Sequence, residues 1–192
     1  MYIVPRPDAS DYETAAQVLA EFASTGYAKT SMTSLAEAAG VTRQTLYNRI
    51  GRKHAVLEWA IGAVVRSLRV DALACLADPE RPTEQALLDA FCCWLGPVVR
   101  FVRDGRYGEE ILGLGNAARR QTGSYPLDAF TAEVTDALLA GGVREQRREA
   151  ADLAFVLVMA AKGLLADSET ESDFRAGMAR ALRGAGINSS SK

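Results

Sequence analysis

The sequence predicts an all-α protein of about nine helices, three short ones followed by a long connector and five more. Three observations carry that expectation. Apolar residues recur at spacings of three and four, as one face of a helix requires. The alternating pattern of a half-buried strand is almost absent. Capping residues, glycines and prolines punctuate the chain at helix-length intervals.

The first helix starts near Ser10, where Ser10-Asp11-Tyr12-Glu13 has the capping-box form. Ala15, Val18, Leu19 and Phe22 make its apolar stripe, and Gly26 is a left-handed stop. A second, short helix follows, capped by Ser31 or Thr33, with Leu35, Ala36 and Ala39 inward and Gly40 at its end. Thr42 caps a third helix, with Leu46 and Ile50 inward, and Gly51 breaks it. A longer helix runs from about Lys53 to Cys75, with Leu57, Ile61, Val64 and Leu68 on one face.

ADPERPT (77–83) reads as a loop ending in a Thr83 cap. Glu84 to Arg103 is the next helix, kinked at Pro97. DGRYG (104–108) is a turn. Residues 109–121 make a weak helix, because Gly113 and Gly115 each cost roughly 1 kcal/mol relative to Ala. QTGSYP (121–126) breaks the chain, helices fit 127–140, 146–166 and 171–184, and the tail GINSSSK reads as disordered.

Charge divides the chain as the helices do. Net charge is −2 over 192 residues. Residues 27–54 nevertheless carry +4, from Lys29, Arg43, Arg49, Arg52 and Lys53 against Glu37, while residues 55–192 carry −3. A basic patch on a mildly acidic body suits a nucleic-acid-binding head on a regulatory body, although a chance cluster on a solvated face gives the same sum. The composition, 48% hydrophobic and 24% charged, is that of an ordinary soluble domain. No basic-then-apolar leader opens the chain, and the longest apolar run, Leu153–Ala161, is well short of the roughly 20 residues of a membrane span. The expected location is the cytoplasm, with no membrane partner. Cys75, Cys92 and Cys93 lack zinc-type spacing and read as small, mostly buried hydrophobes, with a redox-sensing role as the alternative.

Helix two, Gly40 and helix three have the form of a helix-turn-helix. Ala36 and Ala39 let the helices approach, Gly40 takes the turn, and Val41 and Leu46 tie both into a small core. The second helix then presents its N-terminal residues to a major groove. Arg43 suits guanine, Gln44 or Asn48 suits adenine, and Thr42 suits a phosphate. Helix–glycine–helix units also occur in proteins that never touch DNA, so spacing alone leaves both readings open.

Residues 15–65 resemble the N-terminal domain of the TetR family of transcriptional regulators. The carrying residues are Phe22, Gly26-Tyr27, Thr30-Ser31, Leu35-Ala36, Ala39-Gly40-Val41-Thr42, Thr45-Leu46-Tyr47 and Lys53. The chain departs from the family pattern at Ile50, where Phe is usual, at Gly51-Arg52, where Pro-Ser is common, and at His54, which replaces an acid. The resemblance implies that Thr42, Arg43, Gln44, Tyr47 and Asn48 face DNA, and that Thr30, Thr33 and Lys53 hold phosphates. It implies a head at residues 8–53, an effector-binding and dimerisation domain at 54–187, and a disordered tail at 188–192.

One head contacts too little DNA for tight specific binding, so a homodimer on a double-stranded operator is expected. DLAFVLVMAAKGLLA (152–166) is apolar on nearly every side, so Leu153, Val156, Leu157, Ala160, Ala161 and Leu164 can serve core and partner together. Phe174, Met178, Ala181 and Leu182 form a stripe on the last helix, and the resemblance implies that these two helices make the dimer interface. The same residues would equally fill a monomer's core.

For a small, apolar effector the candidate liners are Trp59, Phe91, Trp94, Phe101, Tyr107, Tyr125 and Phe130, with Asn116 to orient it. Each aromatic has an alternative as plain core. The expected role is a repressor released from a palindromic operator by that effector. The alternatives are a DNA binder without an effector, or an activator. An enzyme is not expected: HExxH, GxSxG, P-loop and dinucleotide fingerprints are missing, the lone histidine, His54, lies beside Lys53 in the presumed DNA-facing region, and no cofactor or metal is implied.

Overall fold

A computed structural model describes residues 9–122 and 126–187, with side chains for 11–117 and 129–187. Among the described residues there are nine helices and no strand: α1 (Ala9–Thr25), α2 (Met32–Ala38), α3 (Arg43–Arg49), α4 (Lys53–Ala77), α5 (Thr83–Asp104), α6 (Gly108–Thr122), α7 (Pro126–Ala140), α8 (Arg147–Asp167) and α9 (Glu171–Gly184). Packing gathers them into two compact units. Of the described residues, one takes those up to Ser67 together with 101–122, the other 68–100 together with 126–187. Division by packing therefore differs from the expected division at residue 53: the first unit also claims the start of α4 and all of α6.

In the first unit Ala15, Val18 and Phe22 of α1, Leu35 of α2 and Leu46 of α3 meet Val56, Leu57, Ala60 and Ala63 of α4 and Ile111 of α6. The turn before α6 is tied down by the Tyr107 amide, which donates to the Ala23 carbonyl at 2.7 Å. Gly115 is a point of close approach. A Cβ there would sit 2.8 Å from Ile61 Cδ1. The residue expected to soften α6 thus lets it lie against α4, while Gly113 faces open space.

In the second unit α7 packs along α8 and α8 along α9. Phe130, Val134 and Leu138 of α7, Ala154, Leu157 and Val158 of α8, and Phe174, Met178 and Leu182 of α9 are buried. Helix α5 is long and apolar enough, by length and composition alone, to cross a membrane, with a mean hydropathy of 1.3. Here its apolar face, including Leu87, Phe91 and Trp94, is used in the core.

Several sequence expectations shift. Helix α1 begins at Ala9, so Ser10 lies inside it, and the Ser10 side chain is outside the described set. Thr83 is the first residue of α5 rather than its cap, and α5 runs through Pro97 to Asp104 as one helix. Part of the expected tail is ordered: Ile187 is buried. Its amide donates to the Leu182 carbonyl and that of Gly186 to the Arg183 carbonyl, closing α9 with a Schellman turn and an apolar plug. Residues 188–192, and 123–125 in the expected QTGSYP break, lie outside the described residues.

Candidate nucleic-acid interface

The α2–α3 unit is built from its caps inward. Ser31 caps α2 by accepting from the Ser34 amide at 3.0 Å, and Ser34 Oγ accepts from the Ser31 amide in return. At the other end the Val41 amide donates to the Ala36 carbonyl and the Gly40 amide to that of Glu37. That is again a Schellman turn, and it needs the left-handed φ of 67° that Gly40 supplies. The turn delivers Thr42, whose Oγ1 accepts from the Thr45 amide at 3.1 Å and caps α3. Leu46 is buried and fixes the rotation of α3 about its axis.

With Leu46 inward, Thr42, Arg43, Gln44, Tyr47, Asn48 and Arg49 are exposed. Tyr47 is 48% exposed, unusual for a large aromatic in a seven-residue helix. Gln44 Nε2 donates to Asn48 Oδ1 at 2.8 Å, one turn apart on the same face. These five expected readers, Thr42 to Asn48, are brought to one surface, carrying guanidinium, amide, hydroxyl and phenol groups. Such a face can pair with base edges and phosphates.

The three expected phosphate holders divide. Thr33 is exposed. Thr30 is only 3% exposed, and its Oγ1 donates to the Gly26 carbonyl at 2.7 Å. Lys53 Nζ donates to the carbonyls of Tyr27 (2.8 Å), Thr30 (3.1 Å) and Ala28 (3.3 Å), and sits 4.7 Å from the centre of the Tyr27 ring. An ammonium has three donors, so Lys53 has none to spare in this structure. Three loop carbonyls need a donor, and Lys53 supplies it. Sequence reasoning had no signal for this cage, because backbone carbonyls leave no trace in residue identity.

The expected effector liners are distributed by unit. In the first, Trp59 lines a groove of about 730 Å³ together with Thr14, Val41, Arg49, Ile50 and Glu58. Phe101 packs against the core of the same unit, Tyr107 lies under Gly26, and Asn116 is half-buried. In the second, Phe91, Trp94 and Phe130 pack on one another, with Trp94–Phe130 centroids 4.0 Å apart and Phe91–Phe130 edge-to-face at 5.4 Å. Tyr125 lies outside the described residues.

The expected interface residues also sort by burial. Leu157, Ala161, Phe174, Met178 and Leu182 are consumed in the protomer's own core. Leu153, Ala160, Leu164 and Ala181 are half-buried. Val156 is exposed, and beside it on α8 stand Phe155 and Met159, which were not expected there; the three are 57%, 58% and 38% exposed. An apolar run all round a helix carries no phase, so only the packing of α7 and α9 reveals which face is left over.

Helix α2, the Gly40 turn and α3 with its exposed face have the geometry of a helix-turn-helix. The family model described as "Bacterial regulatory proteins, tetR family" matches residues 15–58. The segment it matches, residues 15–58, is similar to the DNA-binding domain of that family. A TetR-like transcriptional regulator from Rhodococcus sp. RHA1 shares the fold, with a TM-score of 0.52 at 18% identity over 96% of this chain and 100% of that one. A second TetR transcriptional regulator from the same organism has a TM-score of 0.41 at 19% identity, over 90% and 97% of the two chains. No curated protein matches the chain.

Proposed function

We propose that this protein is a homodimeric, sequence-specific repressor that binds a palindromic operator and is released by a small apolar effector. The observation that carries the DNA reading is the α3 surface: Leu46 anchors the helix, and every side chain from Arg43 to Asn48 that can hydrogen-bond a base edge is exposed, with Thr45 alone turned partly in. Arg43 reads guanine, Gln44 and Asn48 read adenine, and Tyr47 and Thr33 reach phosphates or groove walls. Thr42 serves α3 first as its cap.

Support for the dimer comes from α8. Phe155, Val156 and Met159 occupy one face at spacings of three and four, and an apolar patch of this kind on a soluble protein marks a contact surface. Two heads on one dimer read two half-sites, so altering the distance between heads weakens both contacts together. In the effector reading, a bound molecule shifts α4 through Trp59 and Ala63. The mutual packing of Phe91, Trp94 and Phe130 favours a second reading, an effector-free DNA binder, because these aromatics already satisfy one another.

The test is an unbiased selection of bound sequences from a random DNA pool with the purified protein. An enriched palindrome with half-sites a whole number of helical turns apart is the expected result. Selection of a single half-site would remove the dimer from the reading, and no enrichment at moderate salt would remove sequence-specific binding. The recovered operator then becomes the probe for effectors, and placing it over a reporter promoter separates repressor from activator.

A further inference from the structure

The three cysteines are free thiols, all partly accessible, and all lie in the second unit. Cys75 is near the C-terminal end of α4, and Cys92 and Cys93 are in the middle of α5. Nothing in their spacing pairs them. The structure does: Cys75 Sγ and Cys93 Sγ are 3.7 Å apart, in hydrogen-bonding contact with either as donor. Cys92 belongs to a different neighbourhood, where its thiol meets Arg175. One helix thus presents two adjacent thiols to two different surroundings, as the rotation of about 100° per residue of an α-helix requires.

We propose that Cys75 and Cys93 form a peroxide-reactive dithiol site that closes to an intramolecular disulfide. The proposal stands apart from the DNA reading and does not depend on it. The bond needs the sulfurs to close from 3.7 Å to about 2.05 Å. Cys75 lies in the last turn of α4, followed by a loop carrying Pro79 and Pro82, so its side chain sits where the helix ends rather than in a rigid middle.

The chemistry balances with peroxide as the only co-reactant. Cys75 gives up its thiol proton and attacks one peroxide oxygen. The S–O bond forms, the O–O bond breaks, and the departing hydroxide takes up the thiol's proton as water. Cys93 then attacks the Cys75 sulfenic sulfur. The S–S bond forms, the S–O bond breaks, and a second water leaves with the Cys93 proton. Two thiols and one hydrogen peroxide give one disulfide and two waters. Burial, the Cys75 hydrogen bond and the negative field of Asp71 and Asp89 push Cys93 up to about 11, which disfavours it as the first nucleophile. Burial also raises Cys92, against the pull of Arg175.

The experiment treats the folded full chain with a modest excess of hydrogen peroxide, then quenches, unfolds and counts thiols. Non-reducing peptide mapping follows. The expected result is a fall from three titratable thiols to one, with a Cys75–Cys93 cross-link within a monomeric chain, reversed by dithiothreitol. Cys92→Ser should leave that link intact. Cys75→Ser and Cys93→Ser should each abolish it, and Cys93→Ser should leave a sulfenic acid on Cys75 that dimedone traps. A link that includes Cys92, a sulfinic acid on Cys75 beside an intact Cys93, or three surviving thiols in large peroxide excess would each overturn the proposal. Mapping of the unmutated chain decides the matter even where a serine variant folds poorly.

Discussion

Helices α3 and α8 both turn an exposed face outward, and the two faces are opposite in kind. Helix α3 has seven residues and spends one side chain, Leu46, on fixing its orientation, leaving a run of polar and aromatic groups outward. Helix α8 has 21 residues, buries Ala150, Ala154, Leu157, Val158 and Ala161 inward, and turns Phe155, Val156 and Met159 outward. The first face offers direction, through donors and acceptors that a wrong base would leave unpaired. The second offers area, which is non-directional and grows with the apolar surface removed from water. A short helix can carry specificity in a few side chains, whereas an adhesive face needs several large ones in a row.

Breaking the adhesive face is expected to have the largest effect. Phe155→Glu puts a carboxylate where an apolar contact is expected, and burying an unpaired charge is strongly disfavoured. Because Phe155 is exposed in the protomer, the fold should survive. Sedimentation should show the variant as a monomer, and affinity for a two-half-site operator should fall by about 100-fold or more, since linkage of two heads is lost. A variant that remains dimeric moves the interface off α8.

The directional face should fail more selectively. Arg43→Ala removes a bidentate donor worth about 1–3 kcal/mol of base discrimination. A binding assay on operators altered one base pair at a time should find specificity relaxed at one position in each half-site and kept elsewhere. Equal loss on every sequence would make Arg43 a phosphate contact instead.

The two faces were unequally legible. The exposure of the α3 residues was legible as a group because Gly40, Thr42 and Leu46 fix the helix start and its phase, and each outward residue then follows from geometry. The helices themselves were legible to within a few residues, since capping residues and glycines mark their ends. The rest was hidden for one cause. The exposure of Phe155 and Met159 was not legible because α8 is apolar on every side, so periodicity could not phase it. Phe174, Met178 and Leu182 were visible as a stripe, but a stripe does not say whether it meets its own chain or another. The cage around Lys53, the fit of Gly115 on Ile61 and the meeting of Cys75 with Cys93 join residues distant in sequence through backbone groups or contacts that composition does not encode.

Each region also has a charged tie, and comparing the two refines the contrast. Lys53→Met keeps the aliphatic stem and removes the ammonium that holds three carbonyls and faces the Tyr27 ring. Chemical denaturation should show a loss of about 1–3 kcal/mol, the range for a buried acceptor deprived of its charged partner. The salt dependence of DNA binding should keep its slope. If Lys53 leaves its cage for a phosphate on binding, the slope should instead shrink by about 0.9.

The tie in the second unit is Asp89 of α5, which accepts from Arg175 of α9 at 2.9 Å, from Gln85 at 2.8 Å and from Arg81 at 3.3 Å. Burial works to raise its pKa, but the hydrogen bonds from Gln85 and Arg175 and the charges of Arg175 and Arg81 prevail and hold it below the ordinary 3.8. A carboxyl depressed by folding stabilises the native state above its unfolded value, and that contribution disappears as the pH falls through the folded value. The pair is partly solvated, so the effect should be the smallest of the four, roughly 1 kcal/mol or less at neutral pH. Denaturation of Asp89→Asn should show that deficit at pH 7 and a narrowing gap to the unmutated protein below about pH 4. A constant gap across that range would mean that Asp89 acts through shape rather than charge. The second unit would then hold α9 chiefly through the burial of Phe174, Met178 and Leu182, which is non-directional.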